Sequence, residues 1–217
     1  MSIVIAVDGT AASGKGTLAK KLAAHFGFHY LDSGSLYRLV ALGVTDARND
    51  PNNEADALKA ALTIDPAKGN DPRIRSAEIG KAASLVSVFP PVRGALLAYQ
   101  RDFAERHPGA VLDGRDIGTV VCPNAAAKLF VDAAPEVRAH RRWLELTGYG
   151  QAREEAAILE ELLERDERDR NRAVAPLKPA ADAALLDTSH LGIDAAFAAA
   201  LALVKPRIEA LRARPRG

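Results

Sequence analysis

A glycine-rich segment near the start of the chain restricts the possible folds more than any other feature of the sequence. The segment "GTAASGKGT", Gly9 to Thr17, directly follows the apolar run "IVIAV" at 3–7 and precedes residues with helical spacing. Gly9, four further residues, Gly14 and Lys15 have the spacing of a backbone loop that wraps a phosphate group with its N–H groups, at the positive end of a helix. We therefore predict a strand, a phosphate-binding loop and a helix at the start of an α/β fold.

Four more short apolar runs follow, and each ends in polar or glycine-rich residues. They lie at 29–31, 110–113, 128–132 and 183–187. Helical patterns separate them, as in Leu18, Leu22 and Phe26 before Gly27, and a further helix is expected to begin at Pro135. Strands that alternate with helices indicate a parallel sheet covered on both faces, with the functional site at the carboxyl ends of the strands.

Two segments do not fit that alternation and are interpreted as insertions over the site. Residues 44–80 are polar and rich in turn-forming residues, whereas 147–164 predicts a helix between glycines with Leu159, Leu162 and Leu163 on one face.

Composition excludes several classes of function. The 217 residues are 48% hydrophobic and 26% charged with a formal net charge of +1, which is typical of one globular domain and provides no global field for nucleic acid or anionic membranes. The single cysteine, Cys122, has no partner for a disulfide and is interpreted as a small buried hydrophobe. The N-terminus lacks the pattern of a signal peptide, so a cytoplasmic location is expected.

The glycine-rich loop departs from the general nucleotide-binding pattern at one position. Gly16 follows Lys15, and the hydroxyl group comes one residue later at Thr17. This departure, together with the absence of an Asn-Lys-x-Asp motif, argues against GTPases and motor ATPases. The Gly-Lys-Gly-Thr form is instead the one that nucleoside monophosphate kinases carry.

Two further segments end at the same edge of the predicted sheet. "LDSGSLYR" (31–38) follows the second strand and "LDGRDIGTVVCP" (112–123) follows the third. Ser33, Arg38, Arg115 and Asp116 could hold a second phosphate and a ribose, because guanidinium groups bind phosphate through paired hydrogen bonds. Taken alone, either segment could also be a helix cap with a surface ion pair.

Together with "AASLVSVFPPVR" (82–93) and "ERDERDRNRAVAPLKPAAD" (164–182), these segments closely resemble bacterial cytidylate kinases over nearly the whole chain. The resemblance implies a P-loop kinase fold of the α/β class, a five-stranded parallel sheet flanked by helices, with an insert for the nucleoside monophosphate at about 38–92 and a helical lid at about 147–170. It implies transfer of the γ-phosphoryl group of ATP to CMP or dCMP. The family's insert carries an antiparallel hairpin for which Leu62 to Arg75 looks too short.

The resemblance also implies the binding residues. The acceptor site corresponds to Ser33, Tyr37, Arg38, Ser84, Arg93, Gly114, Arg115, Asp116, Asp169 and Arg172. The ATP site corresponds to Gly9, Thr10, Ala11, Ala12, Ser13, Gly14, Lys15, Gly16 and Thr17. Arg141 and Arg142 are further candidates for the donor phosphates, with a basic helix surface as the alternative interpretation of both.

The octet "RDERDRNR" at 165–172 is the most highly charged stretch of the chain. If it is helical, Arg165, Arg168, Asp169 and Arg172 share one stripe, whereas Asp166, Glu167, Arg170 and Asn171 lie elsewhere. A solvated face of ion pairs is one interpretation. With two phosphate-binding segments upstream, we expect Arg165 to meet the transferring phosphoryl group, helped by Arg168 or Arg170.

These assignments predict catalysis by charge and position alone. Lys15, Arg115 and Arg165 are the expected catalytic residues, no general base is required, and Mg²⁺ is expected at Thr17 and Asp113. The expected partners are ATP and CMP or dCMP, without nucleic acid or membrane, in a monomer. Two alternatives stay open: another small-molecule kinase similar to adenylate or shikimate kinases, and a protein that senses ATP without turnover.

Overall fold

Five parallel strands form one sheet in the computed structural model, which describes residues 2–151 and 153–213. The strands are β1 (Ile3–Gly9), β2 (His29–Asp32), β3 (Gly109–Gly114), β4 (Ala127–Asp132) and β5 (Ala184–Asp187), in the order β2-β3-β1-β4-β5. Each strand covers one of the predicted apolar runs, so the predicted parallel sheet is confirmed.

The central strand β1 is buried on both faces. Ile5, Ala6 and Val7 have no exposed surface, as expected for an apolar run covered by helices on each side. Val7 is level with Asp113 of β3, and Gly9 is level with Val131 of β4. The loops that follow these strands therefore leave the sheet at one common edge.

Eight helices accompany the sheet in the described part of the chain. They are α1 (Lys15–Phe26), α2 (Ser33–Asp46), α3 (Glu54–Ala61), α4 (Ala77–Val86), α5 (Pro90–Ala104), α6 (Pro135–Gly148), α7 (Glu155–Asn171) and α8 (Ile193–Arg212). Helices α1 and α8 pack on one face of the sheet, where Leu18 and Leu22 are buried, and α5 packs on the other. Helix α1 ends at Gly27, whose φ of 68° allows its N–H to reach the last carbonyls of the helix.

The segment between β2 and β3 has a hydrophobic cluster of its own. Helices α2 to α5 bury residues such as Leu36, Val40, Ile79 and Leu96 against one another. Residues 62–75 contain two short 3₁₀ turns, Pro66–Asn70 and Pro72–Arg75, in place of a hairpin. The insertion is thus more helical than its polar composition suggested, because Asn53 and Ser76 cap α3 and α4 with their side chains.

Helices α6 and α7 form a second, smaller unit over the sheet edge. A small cluster that includes Leu146, Ile158 and Leu162 joins them to Ala11 of the phosphate loop. The prediction of a helix over 147–164 with three leucines on one face was wrong in two respects. The helix begins at Glu155, after the turn at Gly150, and Leu163 is 47% exposed, because Leu162 and Ile158 already fill the contact with α6. The bounds 38–92 and 147–170 for insert and lid stay predictions.

Cys122 is half-buried, less enclosed than expected, and burial raises the pKa of its thiol to about 11. Among the described residues no single helix is both long and apolar enough to cross a membrane; α4 and α5 satisfy that criterion only as a pair bent by 102°.

Candidate active site

A cavity of about 790 Å³ opens over the carboxyl edge of the sheet. The phosphate loop, the ends of β2 and β3, helix α4 and the facing sides of α6 and α7 form its walls. Most of the predicted site residues line it: Ala11, Ala12, Ser13, Gly14, Lys15, Gly16, Thr17, Ser33, Tyr37, Arg38, Ser84, Arg93, Asp113, Gly114, Arg115, Asp116, Arg141, Arg165, Asp169 and Arg172. Two predicted ATP-site residues, Gly9 and Thr10, are not in the lining.

Gly9 and Thr10 lie behind the phosphate loop and determine its shape. Gly9 has a φ of 153°, and a Cβ atom there would lie 1.9 Å from the carbonyl oxygen of Val131, so only glycine fits. Thr10 is fully buried and donates from Oγ1 to Asp132 Oδ1 at 2.6 Å. Its carbonyl accepts hydrogen bonds from Ser13 Oγ and Lys15 Nζ. These bonds fix the loop against β4.

Lys15 brings a buried positive charge to the start of α1. Its Nζ lies 3.2 Å from the carbonyl of Thr10. Burial, and then the nearby Arg115, lower the pKa of Lys15 to about 7, against the attraction of Asp113 and Asp32. The two carboxylates therefore do not fully offset burial and the charge of Arg115, and a bound phosphate would add the negative charge that favours the protonated amine.

Asp113 ends β3 beside the start of α1. Tyr30 donates its hydroxyl hydrogen to Asp113 Oδ1 at 2.7 Å, and burial, followed by repulsion from Asp32, raises the pKa of Asp113 to about 7. Thr17 is exposed to the same cavity. The described residues contain no group of three or more His, Cys, Asp and Glu side chains arranged for a metal ion. The carboxylates of Asp113 and Asp32 and the hydroxyl of Thr17 are oxygen ligands of the kind that Mg²⁺ prefers. Mg²⁺ usually retains several water ligands and takes further oxygen ligands from the substrate.

Three arginines that line the cavity, Arg38, Arg115 and Arg165, form a cation cluster. Arg115 donates from Nε to Asp169 Oδ2 at 2.9 Å, and Arg165 Nε lies 3.9 Å from the same oxygen. Arg165 Nε is buried and has no hydrogen-bond partner among the described residues. Burial, and then the charge of Arg115, lower the pKa of Arg165 to about 9; burial, and then Arg142, lower that of Arg38 to about 10. This cation cluster has fewer carboxylates than guanidinium groups, so it favours an anion.

A second set of buried charges closes the cavity at its far end. Arg93 donates from Nη2 to Asp116 Oδ2 at 2.5 Å, and Arg172 Nη2 lies 3.6 Å from the other oxygen of Asp116. The guanidinium of Arg93 also sits 5.6 Å from the ring centre of Tyr37. Ser84 is only 2% exposed, and its hydroxyl accepts from Arg168 Nε at 3.4 Å. This end offers both hydrogen-bond donors and acceptors to a polar ring.

The charged octet at 165–172 separates into cavity-lining and other residues, as its helical spacing predicts. Arg165, Arg168, Asp169 and Arg172 line the cavity, whereas the other four residues do not. Burial opposes ionisation of Asp169, but Arg115, Arg165 and Arg172 together lower its pKa. In this structure Asp169 therefore orients Arg115, so the cytosine contact predicted for it stays a prediction.

Arg141 of α6 lies beside the phosphate loop. Its guanidinium donates to the carbonyl of Thr188 at 2.7 Å and to the Thr188 hydroxyl at 3.0 Å. The Thr188 hydroxyl in turn donates to the carbonyl of Ser13 at 2.9 Å. Arg142, by contrast, pairs with Glu145 at 2.7 Å, but it still borders the cavity. The residue after β5 thus links Arg141 to the loop.

Several residues of the site were missed by sequence reasoning. Tyr30 and Asp32 could have been found, because each lies at the carboxyl end of a predicted strand next to Ser33. Asp8 could not: its carboxylate accepts from the backbone N–H groups of Ile117 and Gly118 at 2.7 Å each, and those partners are more than 100 residues away along the chain. Burial raises the pKa of Asp8 to about 6. These two hydrogen bonds hold the turn after β3 that carries Arg115 and Asp116.

Comparison with protein families gives one match over most of the chain. A family model described as Cytidylate kinase matches residues 5–206. Proteins named "Cytidylate kinase" are 57% identical over 211 residues in Bradyrhizobium sp. (strain ORS 278), covering 97% of this chain and 98% of that protein, and 58% identical over 203 residues in Nitrobacter winogradskyi, covering 94% and 96%. A third, from Rhodopseudomonas palustris (strain ATCC BAA-98 / CGA009), is 56% identical over 211 residues, covering 97% and 98%.

Solved structures support the fold. An uncharacterised protein from Eubacterium ventriosum superposes with a TM-score of 0.54 at 14% identity, covering 98% of this chain and 100% of that one. A gluconokinase from Sinorhizobium meliloti 1021 gives 0.51 at 15% identity, covering 97% and 95%. At such identities the likeness shows the architecture alone.

Proposed function

The chain belongs to the cytidylate kinase family, and from that membership and the site geometry we propose that it transfers the γ-phosphoryl group of ATP to the 5′-phosphate of CMP or dCMP. The products are ADP and CDP or dCDP. The observation that supports this function best is the convergence of Lys15, Arg38, Arg115 and Arg165 on one cavity, between the phosphate loop and the Asp116 ion pairs.

The two nucleotides would enter from opposite ends of the cavity. The loop from Ala11 to Thr17, with Arg141 at its side, faces the donor triphosphate, because its N–H groups and the start of α1 favour anions. Ser33, Arg38 and Arg115, which line the same cavity, would bind the acceptor phosphate. The transferring group would then sit among the cation cluster.

Chemistry at this site requires little activation of the nucleophile. A phosphate monoester has a second pKa of about 6, so it is mostly ionised at neutral pH and attacks without a base. The barrier lies in bringing two polyanions together and in neutralising the charge that moves between them. Arg165 suits that role because its buried Nε has no hydrogen-bond partner within the described residues.

Mg²⁺ is proposed as the metal that accompanies ATP, since kinases that use ATP generally require it. Thr17, Asp113 and Asp32 would hold it or its waters, and it would neutralise phosphate charge. The deprotonated form of Asp113 is needed for that role, and a cation would favour it by lowering the raised pKa.

Preference for cytosine is proposed for the end of the cavity near Asp116. Cytosine presents an exocyclic amine that needs an acceptor, and a ring nitrogen and a carbonyl that need donors. Ser84, Arg93, Asp169 and Arg172 offer both kinds of group in a buried setting. Uracil has a carbonyl in place of the amine, so an acceptor would face an acceptor and UMP would be disfavoured.

A coupled assay of ADP release over a panel of acceptors tests the function. We expect turnover with CMP and dCMP, much slower turnover with UMP, and none above background with AMP or shikimate. Lys15→Met is the matched control that keeps the side-chain length and removes the charge. Absence of CMP-dependent ADP release would contradict the kinase function and favour a protein that binds ATP without this turnover. We also propose that the partners of the protein are small molecules alone, that it is a monomer and that it is located in the cytoplasm.

A further inference from the structure

Arg138 is a buried arginine that the proposed reaction does not use. It lies on α6 with 2% of its surface exposed, and Asp166 of α7, 1% exposed, faces it. Arg138 Nη2 and Asp166 Oδ2 are 2.7 Å apart. A buried ion pair is seldom more stable than two apolar side chains of similar volume, because desolvation offsets the attraction.

The remaining edges of the guanidinium group bind backbone carbonyls. Nε donates to Ala133 at 2.8 Å, directly after β4, and Nη1 donates to Ala11 at 3.3 Å, in the phosphate loop. One side chain thus joins the loop, the end of β4 and helix α7. Arg138 does not itself line the cavity.

The bond to Ala11 constrains a peptide group of the loop. In a trans peptide the carbonyl and the next N–H point in opposite directions, so a carbonyl held by Arg138 behind the loop directs the N–H of Ala12 toward the cavity. Ala12 has a φ of 58°, in the left-handed region that alanine rarely adopts. Such a conformation persists only where its surroundings enforce it.

The ion pair with Asp166 constrains α7, the helix that carries Arg165. Asp166 is the next residue after Arg165, and neither of its carboxylate oxygens makes a hydrogen bond of good geometry in the described residues. The pair is therefore held by charge; the second cation near Asp166 is Arg170, at 3.9 Å and 52% exposed.

We propose that Arg138 is a positioning residue for the donor nucleotide, with Asp166 as its counter-charge. The pair orients the Ala11–Ala12 peptide for the triphosphate and holds α7 so that Arg165 faces it. This inference rests on the proposed function for the identity of the donor nucleotide, ATP.

Three variants separate positioning from stability. Arg138→Met removes the charge and, among the described residues, leaves Asp166 with only Arg170, at 3.9 Å. Arg138→Met with Asp166→Leu removes the whole pair, a change that buried ion pairs often tolerate. Arg138→Lys keeps the charge but has one nitrogen for three acceptors. The control is Lys205→Met with Glu209→Leu, an exposed pair on α8 whose charges are 3.6 Å apart.

Four quantities are measured for each variant: Tm, kcat, the Kd of ATP and the Kd of CMP. Trp143, the single tryptophan of the chain, packs against the cluster that contains Ala11 and reports ATP binding by fluorescence. We expect the double variant to regain most of the Tm lost by Arg138→Met, yet to bind ATP about 10-fold more weakly with a reduced kcat, while the Kd of CMP changes less than about 2-fold. Arg138→Lys should fold and show the same weakened ATP binding.

Recovery of both Tm and ATP affinity in the double variant would reduce the pair to a structural element and overturn the proposal. Unchanged ATP affinity in Arg138→Met would do the same, as would failure of all three variants to fold. These outcomes differ from failure of the proposed function, which would appear as absent CMP-dependent ADP release in the unaltered protein.

Discussion

At the scale of single residues, the main feature of the cavity is that its arginines outnumber the carboxylates that could pair with them. Arg115 has Asp169 at 2.9 Å, whereas Arg165 Nε makes no hydrogen bond within the part of the chain that the structure describes. The lowered pKa values of Arg165 and Arg38 reflect burial first, and then repulsion from Arg115 and from Arg142 respectively. Bound phosphate groups would relieve both effects, so these side chains are arranged for a ligand more than for stability.

Arg165→Ala should lower kcat by about 10²-fold or more, because a charge that develops among the phosphates loses a preorganised donor. The KM values should change less than kcat, since binding of each nucleotide relies on other residues. Steady-state kinetics with both substrates varied give the two effects separately. Arg207→Ala, on the exposed face of α8, is the matched substitution and should leave the kinetics unchanged. Equal kcat in the Arg165 variant and the unaltered protein would remove its assigned role.

ATP binding should take up a proton at about pH 8 when no metal is present. In the free protein Lys15 has a pKa of about 7 and is mostly neutral at that pH, and the triphosphate raises the pKa by adding negative charge. The raised pKa of Asp113 acts in the same direction, because the negative triphosphate also favours the protonated carboxyl group.

Isothermal titration in EDTA measures this uptake. In buffers with different ionisation enthalpies the apparent binding enthalpy should vary in the sense of proton uptake, and Lys15→Met should reduce the variation. An apparent enthalpy that is independent of the buffer would show that Lys15 does not change its protonation state.

The residues that sequence reasoning found and missed differ in one physical respect. Lys15, Ser33 and Arg115 stand in short motifs at the ends of predicted strands, where local spacing carries the signal. Asp8, Thr188 and Arg138 act through backbone groups far away in the chain, as in the bond from Asp8 to Gly118. Only the assembled fold shows such contacts.

At the scale of elements, strands and helix starts were predictable, and the inserted segments were not. Apolar runs ended at the sheet edge as expected, and α6 begins at Pro135 as predicted. The sequence predicted that this helix begins at 147, whereas α7 begins at Glu155. The error arose because, apart from glycine, 147–154 contains no residue that strongly disfavours a helix. The insert looked like loop because its polar residues are in fact caps, such as Asn53 and Ser76.

Gly94→Ala should stabilise the protein by about 0.5–1 kcal/mol, because glycine inside an exposed helix costs about that much relative to alanine. Gly94 lies within α5, and an added Cβ would meet no atom of the described residues within 4 Å. A Tm about 1–4 °C higher in thermal unfolding is the expected result for a domain of this size.

The contrasting substitution is Gly9→Ala. Its Cβ would lie 1.9 Å from the Val131 carbonyl, so the loop or β4 would have to move. We expect a clear loss of stability and of ATP binding. A Gly94 variant less stable than the unaltered protein would show that α5 is constrained in a way its surroundings do not reveal.

At the scale of the whole molecule, the net charge of +1 conceals a strong local separation of charge. Cations from the phosphate loop, from the ends of β2 and β3 and from α7 meet over one edge of the sheet. These segments lie far apart along the chain, but parallel strands bring their carboxyl ends together. The fold class could be predicted from alternation alone, whereas the exact pairing of buried charges depends on packing between α6, α7 and the insert.

The central claim is that both nucleotides place their phosphates in this one cavity. The most direct test is the Kd of a bisubstrate analogue, adenosine and cytidine joined 5′ to 5′ through a chain of phosphates, measured beside ATP and CMP. We expect the analogue to bind at least about 10²-fold more tightly than ATP, and each nucleotide alone to compete with it, because one molecule then engages both ends of the site. Affinity equal to that of ATP, with no competition by CMP, would contradict a shared cavity.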